Sequence, residues 1–261
     1  MAEYRLIATD LDGTLLGLDK RPTASVVDAL RRANEQGIHI AIASGRMTCT
    51  QRDLAKEMGL DCSMISYNGS VVVQEDGTTV ETDMDVETMR DIIGYCYEHG
   101  YYVQTYRDDV IFTDHDSPML RSDMDSRSAE ISFGDLLEID LKPAPKVVIV
   151  VDPSETSWIM GDIRRMHPSL SVTQSSPYVV EIMAHGVDKS SGLRSVCEHL
   201  GIDREEVIAF GDNKNDIPMV GWAGLGVAVA NAVDELKDIA DIVTDGERSD
   251  GVQEVLDRLF P

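Results

Sequence analysis

The sequence predicts an α/β fold: a doubly wound (Rossmann-like) parallel-sheet core with a second, α+β unit inserted into it. Three observations carry this. Apolar runs such as IHIAIA (38–43) and VIAF (207–210) alternate with amphipathic helical patterns, as expected of strands covered on both faces. The alternation stops near residue 82, gives way to paired strand patterns, and resumes near Val187. The chain has 261 residues, enough for one large α/β domain or for a domain with another placed inside it.

Taken in order, residues 5–9 read as a strand. Residues 23–36 form a helix with Val26, Leu30 and Ala33 on one face and Gly37 as its stop. IHIAIA is the second strand, 48–58 a helix, and 64–66 a short strand. Tyr67-Asn68-Gly69 turns the chain into VVV (71–73), and Asp76-Gly77 turns it back into TTVET as a hairpin. Residues 86–98 follow as an amphipathic helix through Val86, Met89, Ile92, Ile93 and Cys96. YYVQTY and VIFT are strands around an Arg-Asp-Asp turn, and the polar stretch 115–145 carries no clear period. KVVIVV (146–151) is a strand, 155–166 a helix, and LSVTQ and YVVEIM two further strands. The first grammar then returns: helix 189–200, strand 206–210, a short helix near Asp216, strands GVAVA and IVT, and a last helix with Val252, Val255, Leu256 and Leu259. The predicted division is a core of residues 1–82 and 186–261 around an insertion at 83–185.

Composition narrows the function classes. Hydrophobic residues make 43% and charged residues 27%, the balance of a soluble globular protein. No run of about eighteen apolar residues and no signal-peptide pattern is present, so a membrane role is not expected. The net charge of −24 repels nucleic acid and anionic membranes. Cys49, Cys62, Cys96 and Cys197 are scattered without a CxxC, which reads as reduced thiols in a cytoplasmic protein.

Four stretches stand where a core strand ends or a core helix starts: DLDGT (10–14), Ser44-Gly45-Arg46, Lys189, and GDNKND (211–216). In an open parallel sheet ligands bind beyond the carboxyl ends of the strands, so all four are expected at one crevice. Asp10, Asp12 and Asp212 would crowd negative charge there, and a hard divalent cation such as Mg²⁺ resolves the conflict with oxygen ligands and room for a phosphate. A carboxylate is also a known nucleophile toward phosphorus. One acid of the Asp10/Asp12 pair would attack and the other would shuttle a proton. Ser44 can donate to a phosphate oxygen, and Gly45 lets the backbone N–H approach. Lys189 can neutralise phosphate and nucleophile together, and Asn215 adds a neutral donor.

Each stretch alone is an ordinary loop, cap or surface residue; the ordered set at strand ends is not. This set resembles the haloacid dehalogenase (HAD) superfamily of phosphotransferases. DLDGT matches its first motif, Ser44 its second, Lys189 its third and GDNKND its fourth. ASGR, YNG, GVDKSSGL, FGDNKND, GVAVANA and SDGV, in that order, resemble the Cof-type branch, with KSSG where the branch often has KGxA or KGxG. The resemblance implies Asp10 as nucleophile and Asp12 as acid/base. It implies Mg²⁺ held by Asp10, the main-chain carbonyl of Asp12, and Asp212. Phosphate contacts fall on Ser44, Lys189 and Asn215, and Asp216 supports the metal shell or the lysine.

The expectation is therefore a Mg²⁺-dependent phosphatase acting on small phosphorylated metabolites, sugar phosphates or short phospho-acids such as phosphoglycolate, with the insertion as a cap that chooses the leaving group. No nucleic-acid or membrane partner is expected, and the chain is expected as a monomer or small homo-oligomer. The alternatives are a sugar phosphomutase of the same superfamily and a receiver phosphorylated on aspartate, which would lack the insertion and the second half. Arg46 reaches substrate or braces its loop. Tyr67 and Asn68 shape the crevice rim, Asp108-Asp109 is a solvated face, and the histidines are structural or exposed, with His115 and His185 nearest to a substrate role.

Overall fold

The structure, a computed structural model, describes residues 4–117 and 129–261. Two sheets organise it. The first has eight strands: β1 (Leu6–Thr9), β2 (His39–Ala43), β3 (Ser63–Ser66), β4 (Val71–Val73), β5 (Thr79–Glu81), β12 (Val207–Gly211), β13 (Leu225–Ala228) and β14 (Ile242–Val243). Their order is β14-β13-β12-β1-β2-β3-β4-β5, with β14 to β3 parallel and the β4–β5 hairpin antiparallel at one edge. The chain runs outward from β1 in one direction and from β12 in the other. The carboxyl ends of these two neighbours therefore mark the switch point.

The second sheet has the order β10-β11-β9-β6-β7-β8. It is built from β6 (Tyr102–Arg107), β7 (Val110–Thr113), β8 (Glu130–Phe133), β9 (Val147–Val150), β10 (Ser171–Ser176) and β11 (Val179–Met183). Strand β8 lies in the stretch without a clear period. It pairs parallel to β7, whereas the other strand pairs of this sheet are antiparallel. Parallel neighbours need a long connection, which the residues after Thr113 provide. Part of that stretch, 118–128, lies outside the described residues.

Eight α-helices are described: α1 (Ala24–Glu35), α2 (Thr48–Met58), α3 (Val86–His99), α4 (Thr156–Met166), α5 (Lys189–Leu200), α6 (Ile217–Trp222), α7 (Asp234–Lys237) and α8 (Arg248–Leu259). Thr23 caps α1 through Val26 N, Asp85 caps α3 through Thr88 N, and Asp188 caps α5 in a reciprocal pair with Ser191. Among the described residues no helix is long and apolar enough to cross a membrane. All four cysteines are free and buried, and burial pushes Cys62, Cys96 and Cys197 up to about 12, leaving them unreactive near neutral pH.

The period of two along the strands sorts the core into faces. Ile7, Ile40, Ile42, Ile208 and Phe210 pack beneath α1 and α8. The opposite face presents Ala8, Ala41, Ala43 and Ala209 to Leu193, Val196 and Cys197 of α5. Alanines make this face thin, so α5 lies close to the sheet. Gly192 sits at the closest approach: a Cβ there would stand 2.4 Å from Ile65 Cγ2 and 3.2 Å from Gly69 Cα. On the second sheet Val103, Val147, Ile149, Val180 and Ile182 pack under α3 and α4. Their alternates Tyr106, Val148 and Val179 face the first unit and meet Met47 and Tyr67 there.

Gly192→Ala should therefore destabilise the protein by about 1–3 kcal/mol in urea denaturation, because the added methyl overpacks the α5 contact. Gly94→Ala, where a Cβ meets nothing within 4 Å inside α3, should stabilise it by about 0.5–1 kcal/mol. Equal effects of one sign would mean that close packing does not explain Gly192.

Candidate active site

Beyond Thr9 the chain keeps one more sheet bond, from Asp10 N to Phe210 O at 3.1 Å, and then turns through Gly13. Gly13 has φ +93°, and a Cβ there would lie 2.3 Å from Asp212 Oδ2. A side chain is excluded both by conformation and by the carboxylate across the turn. This closeness brings the ends of β1 and β12 together. Thr14 Oγ1 donates to Asp212 Oδ1 at 2.7 Å and fixes that carboxyl.

Lys189 opens α5 and is wholly buried. Its Nζ donates to Asp10 Oδ1 and Asp216 Oδ1, each at 2.5 Å. Burial disfavours its charge, but Asp10 and Asp216 outweigh burial and hold the ammonium above the usual lysine range. The second oxygen of Asp216 accepts from Asp212 N at 2.9 Å and Asn213 N at 3.0 Å. Burial raises the Asp10 carboxyl well above its usual range, against the pull of Lys189, with Asp216 and Asp212 adding to the rise. Asp212 is pushed up to about 6 by burial and by Asp216.

Carboxylate oxygens of Asp10, Asp212 and Asp216 come within 4.8 Å of one another. Asp216 spends its oxygens on Lys189 and two backbone N–H groups. Asp10 and Asp212 are the two carboxyls that burial and neighbouring acids raise even with Lys189 and Thr14 as partners, and hard oxygen donors raised in this way fit a divalent cation such as Mg²⁺. The Asp12 side chain is elsewhere. Arg46 grips it from two sides, Nε to Oδ2 at 2.7 Å and Nη2 to Oδ1 at 2.6 Å, at the mouth of a cavity of about 510 Å³.

Asp10, Asp12, Ser44, Gly45, Arg46 and Asn215 all line that cavity; Lys189 and Asp216 lie fully buried behind Asp10, and Asp212, half-buried, is not among the lining residues. Ser44 directly follows β2, with its N bonded to Ile65 O at 2.9 Å and its Oγ accepting from Arg46 N at 3.2 Å. Asn215 Nδ2 donates to Asn68 Oδ1 at 3.2 Å. Asn68, placed at a rim by the sequence reading, is buried at a backbone φ of +56° and links several parts of the site.

Other residues escaped the sequence reading. Lys146 and Glu181 reach the cavity from the second sheet; the available signal was a charge inside the apolar run YVVEIM for Glu181 and at the head of KVVIVV for Lys146. Asn231, within GVAVANA, holds Gly13 O at 2.8 Å and so steadies the turn after Asp10. Asp109, read as part of a solvated face, instead accepts from Cys49 N at 3.2 Å and from Tyr67 OH at 3.3 Å. Neither His115 nor His185 lines the cavity: the first bonds Asp114 and the second Ser169 O.

Comparison with known proteins agrees with this geometry. Residues 7–256 match the family model described as haloacid dehalogenase-like hydrolase. The 5-amino-6-(5-phospho-D-ribitylamino)uracil phosphatase YcsE of Bacillus subtilis is 30% identical over 97% of this chain and 95% of its own. A protein of Methanopyrus kandleri named phosphoglycolate phosphatase is 31% identical over 98% of this chain and 97% of its own. A solved haloacid dehalogenase-like hydrolase from Bacteroides thetaiotaomicron superposes with a TM-score of 0.87 at 31% identity, over 99% of this chain and 100% of that one. With the paired acids, the buried lysine and the switch-point cavity in one place, the chain belongs to the haloacid dehalogenase-like hydrolase family.

Proposed function

We propose that the protein is a cytoplasmic Mg²⁺-dependent phosphatase of small phosphorylated metabolites, such as sugar phosphates or short phospho-acids, working through an aspartyl-phosphate on Asp10. The observation that carries this reading is the Asp10 carboxylate: buried at the switch point, bonded by Lys189, and open to the cavity where Asp12 waits. The phosphatase names of the relatives support it.

Asp10 attacks phosphorus, the ester bond breaks, and the leaving oxygen takes a proton from Asp12. Water then attacks the aspartyl-phosphate, gives its proton to Asp12, and releases inorganic phosphate. In the observed pair both Asp12 oxygens accept from Arg46. Opening that pair would free the Asp12 carboxyl to approach the leaving oxygen, and a phosphate dianion is an anion that competes for Arg46. Ser44 and Asn215 contact the phosphate, and Lys189 keeps the nucleophile in place. Asp10, Asp212 and the carbonyl of Asp12 would hold Mg²⁺, which supplies neutralising charge for the phosphate and the facing carboxyls. Residues 83–185 act as the cap over a core of 1–82 and 186–261. They shield the reaction from water and contact the leaving group.

Asp10→Asn should lower phosphate release by about three orders of magnitude or more while the fold persists, since an amide is no nucleophile. Substantial turnover by a folded Asp10→Asn chain would exclude the covalent route. Asp12→Ala should cost about 10²–10⁴-fold on alkyl phosphates and much less on p-nitrophenyl phosphate, whose leaving group needs no proton. A uniform loss would remove Asp12 from the acid role.

The raised acids also set a pH signature. Without a cation, the folded chain keeps a proton on Asp212 up to about pH 6, whereas unfolded aspartate releases it near 4. This group's contribution to stability is thus lost as pH rises from about 4 to 6. Bound Mg²⁺ replaces the proton, so the Tm rise on adding excess Mg²⁺ should be larger at about pH 7.5 than at about pH 5. An equal rise at both would place the cation elsewhere.

A further inference from the structure

We propose that Lys146 and Glu181 of the second sheet are positioning residues for phosphoryl transfer, acting through Gly45 and Asn68 on the two phosphate donors Ser44 and Asn215. This rests on the phosphatase reading above and extends it to residues that never touch phosphorus.

Lys146 stands just before β9 and Glu181 at the middle of β11, both nearly without exposure. They form an ion pair with each other. Lys146 Nζ also donates to Gly45 O at 2.7 Å and lies 5.0 Å from the Tyr106 ring centre. Burial alone would raise the Glu181 carboxyl, but Lys146 and Asn68 outweigh it and hold the group below its usual range. Two relays leave this pair. In the first, Lys146 pins the carbonyl of the Gly45–Arg46 peptide, whose N–H is donated to Ser44 Oγ at 3.2 Å. A serine oxygen that accepts this bond has its own O–H left to donate toward the cavity. In the second, Glu181 Oε2 accepts from Asn68 Nδ2 at 3.0 Å, and Asn68 Oδ1 accepts from Asn215 Nδ2 at 3.2 Å. This sets which way the Asn215 amide faces. Asn68 N donates to Ser44 O at 3.0 Å, so the two relays share a loop.

The fit is close enough to dictate residue size. A Cβ on Gly45 would lie 3.2 Å from Glu181 Oε1 and 3.3 Å from Asn68 Oδ1. Stability alone does not call for charge here. The surroundings include Tyr106, Val148 and Val179, and an apolar pair of equal volume usually serves a core as well as a buried ion pair. What an apolar pair lacks is the ability to hold a carbonyl and an amide in one orientation. The phosphate donors of the first unit are therefore oriented by the second, and the site is complete only with that sheet in place.

The test uses the full chain with Glu181→Gln, Lys146→Met and Asn68→Gly, the last keeping a backbone that tolerates positive φ. Each should lower kcat for p-nitrophenyl phosphate and for alkyl phosphates alike, by about 10- to 100-fold, and weaken competitive inhibition by orthovanadate by a similar factor. A merely structural role would lower Tm and leave kcat and vanadate inhibition of the folded variant unchanged. A leaving-group role would spare p-nitrophenyl phosphate and vanadate and reduce turnover of alkyl phosphates only. Either result overturns the inference. If Lys146→Met or Glu181→Gln fails to fold, Asn68→Gly decides, since it cuts the Asn215 relay and leaves the ion pair intact. A wild-type chain inactive on p-nitrophenyl phosphate overturns the phosphatase reading and this one with it; active wild type with unaffected variants overturns this one alone.

Discussion

A lysine without solvent, held between Asp10 and Asp216, is the constraint on which the rest of the molecule turns. A buried ammonium is tolerable only with partners in hydrogen-bond geometry. Those partners come from the ends of β1 and the turn after β12, and the lysine from the start of α5. Three remote parts of the chain must meet within about one side chain's length. The alanine face under α5 and the missing side chain of Gly192 let the helix come that close. Three carboxylates, Asp10, Asp212 and Asp216, still face one ammonium, so the cluster is left acidic, and burial with the neighbouring acids holds the Asp10 and Asp212 carboxyls above the usual range. The same packing that makes the fold thus leaves a place for a cation.

The seam between the two units follows similar logic. Strands β6, β9 and β11 bury alternate residues under their helices and turn the others toward the first unit. Helix α2 begins right after the Ser44 loop and has no side-chain cap of its own. Asp109 supplies one from the tip of the β6–β7 hairpin, where it also meets the partial positive charge of the helix start. Its neighbour Asp108 and Asp109 itself both take positive φ, the conformation of a tight hairpin turn. A loop that looks solvated in one dimension is thus a contact in three, and it lands beside the Ser44 loop.

What could be read from sequence was local, and what could not was remote. Apolar periods gave α2 and α5 their limits to the residue, because caps and faces are written within a few positions of each other. The acids of DLDGT, Ser44, Lys189 and GDNKND were legible because strand ends announce themselves and the crevice rule gathers them. Their neighbours were harder. That Asp10 and Asp12 part company, one toward Lys189 and one toward Arg46, depends on where β1 stops. Glu181 contacts Asn68 across more than a hundred residues, and no local pattern carries that pairing. Short α7 and the parallel β8 were missed because neither has the length over which a period declares itself.

The charge of −24 poses a problem for any anionic substrate, and the site resolves it at short range. At physiological salt, exposed charges fade over about 8 Å, so acids on distant faces contribute little inside the cavity. What remains is the wall itself. Arg46 and Lys146 line it with Lys189 behind, and each is tied to a named acid rather than left bare. Pairing keeps these three cations in fixed positions. Under the proposed function, a phosphate that takes the Nε–Nη2 edge of Arg46 would displace a carboxylate, and that carboxylate is Asp12. Under the same proposed function, the contact that would bind phosphate is therefore also the one that would free Asp12 at the mouth of the same cavity.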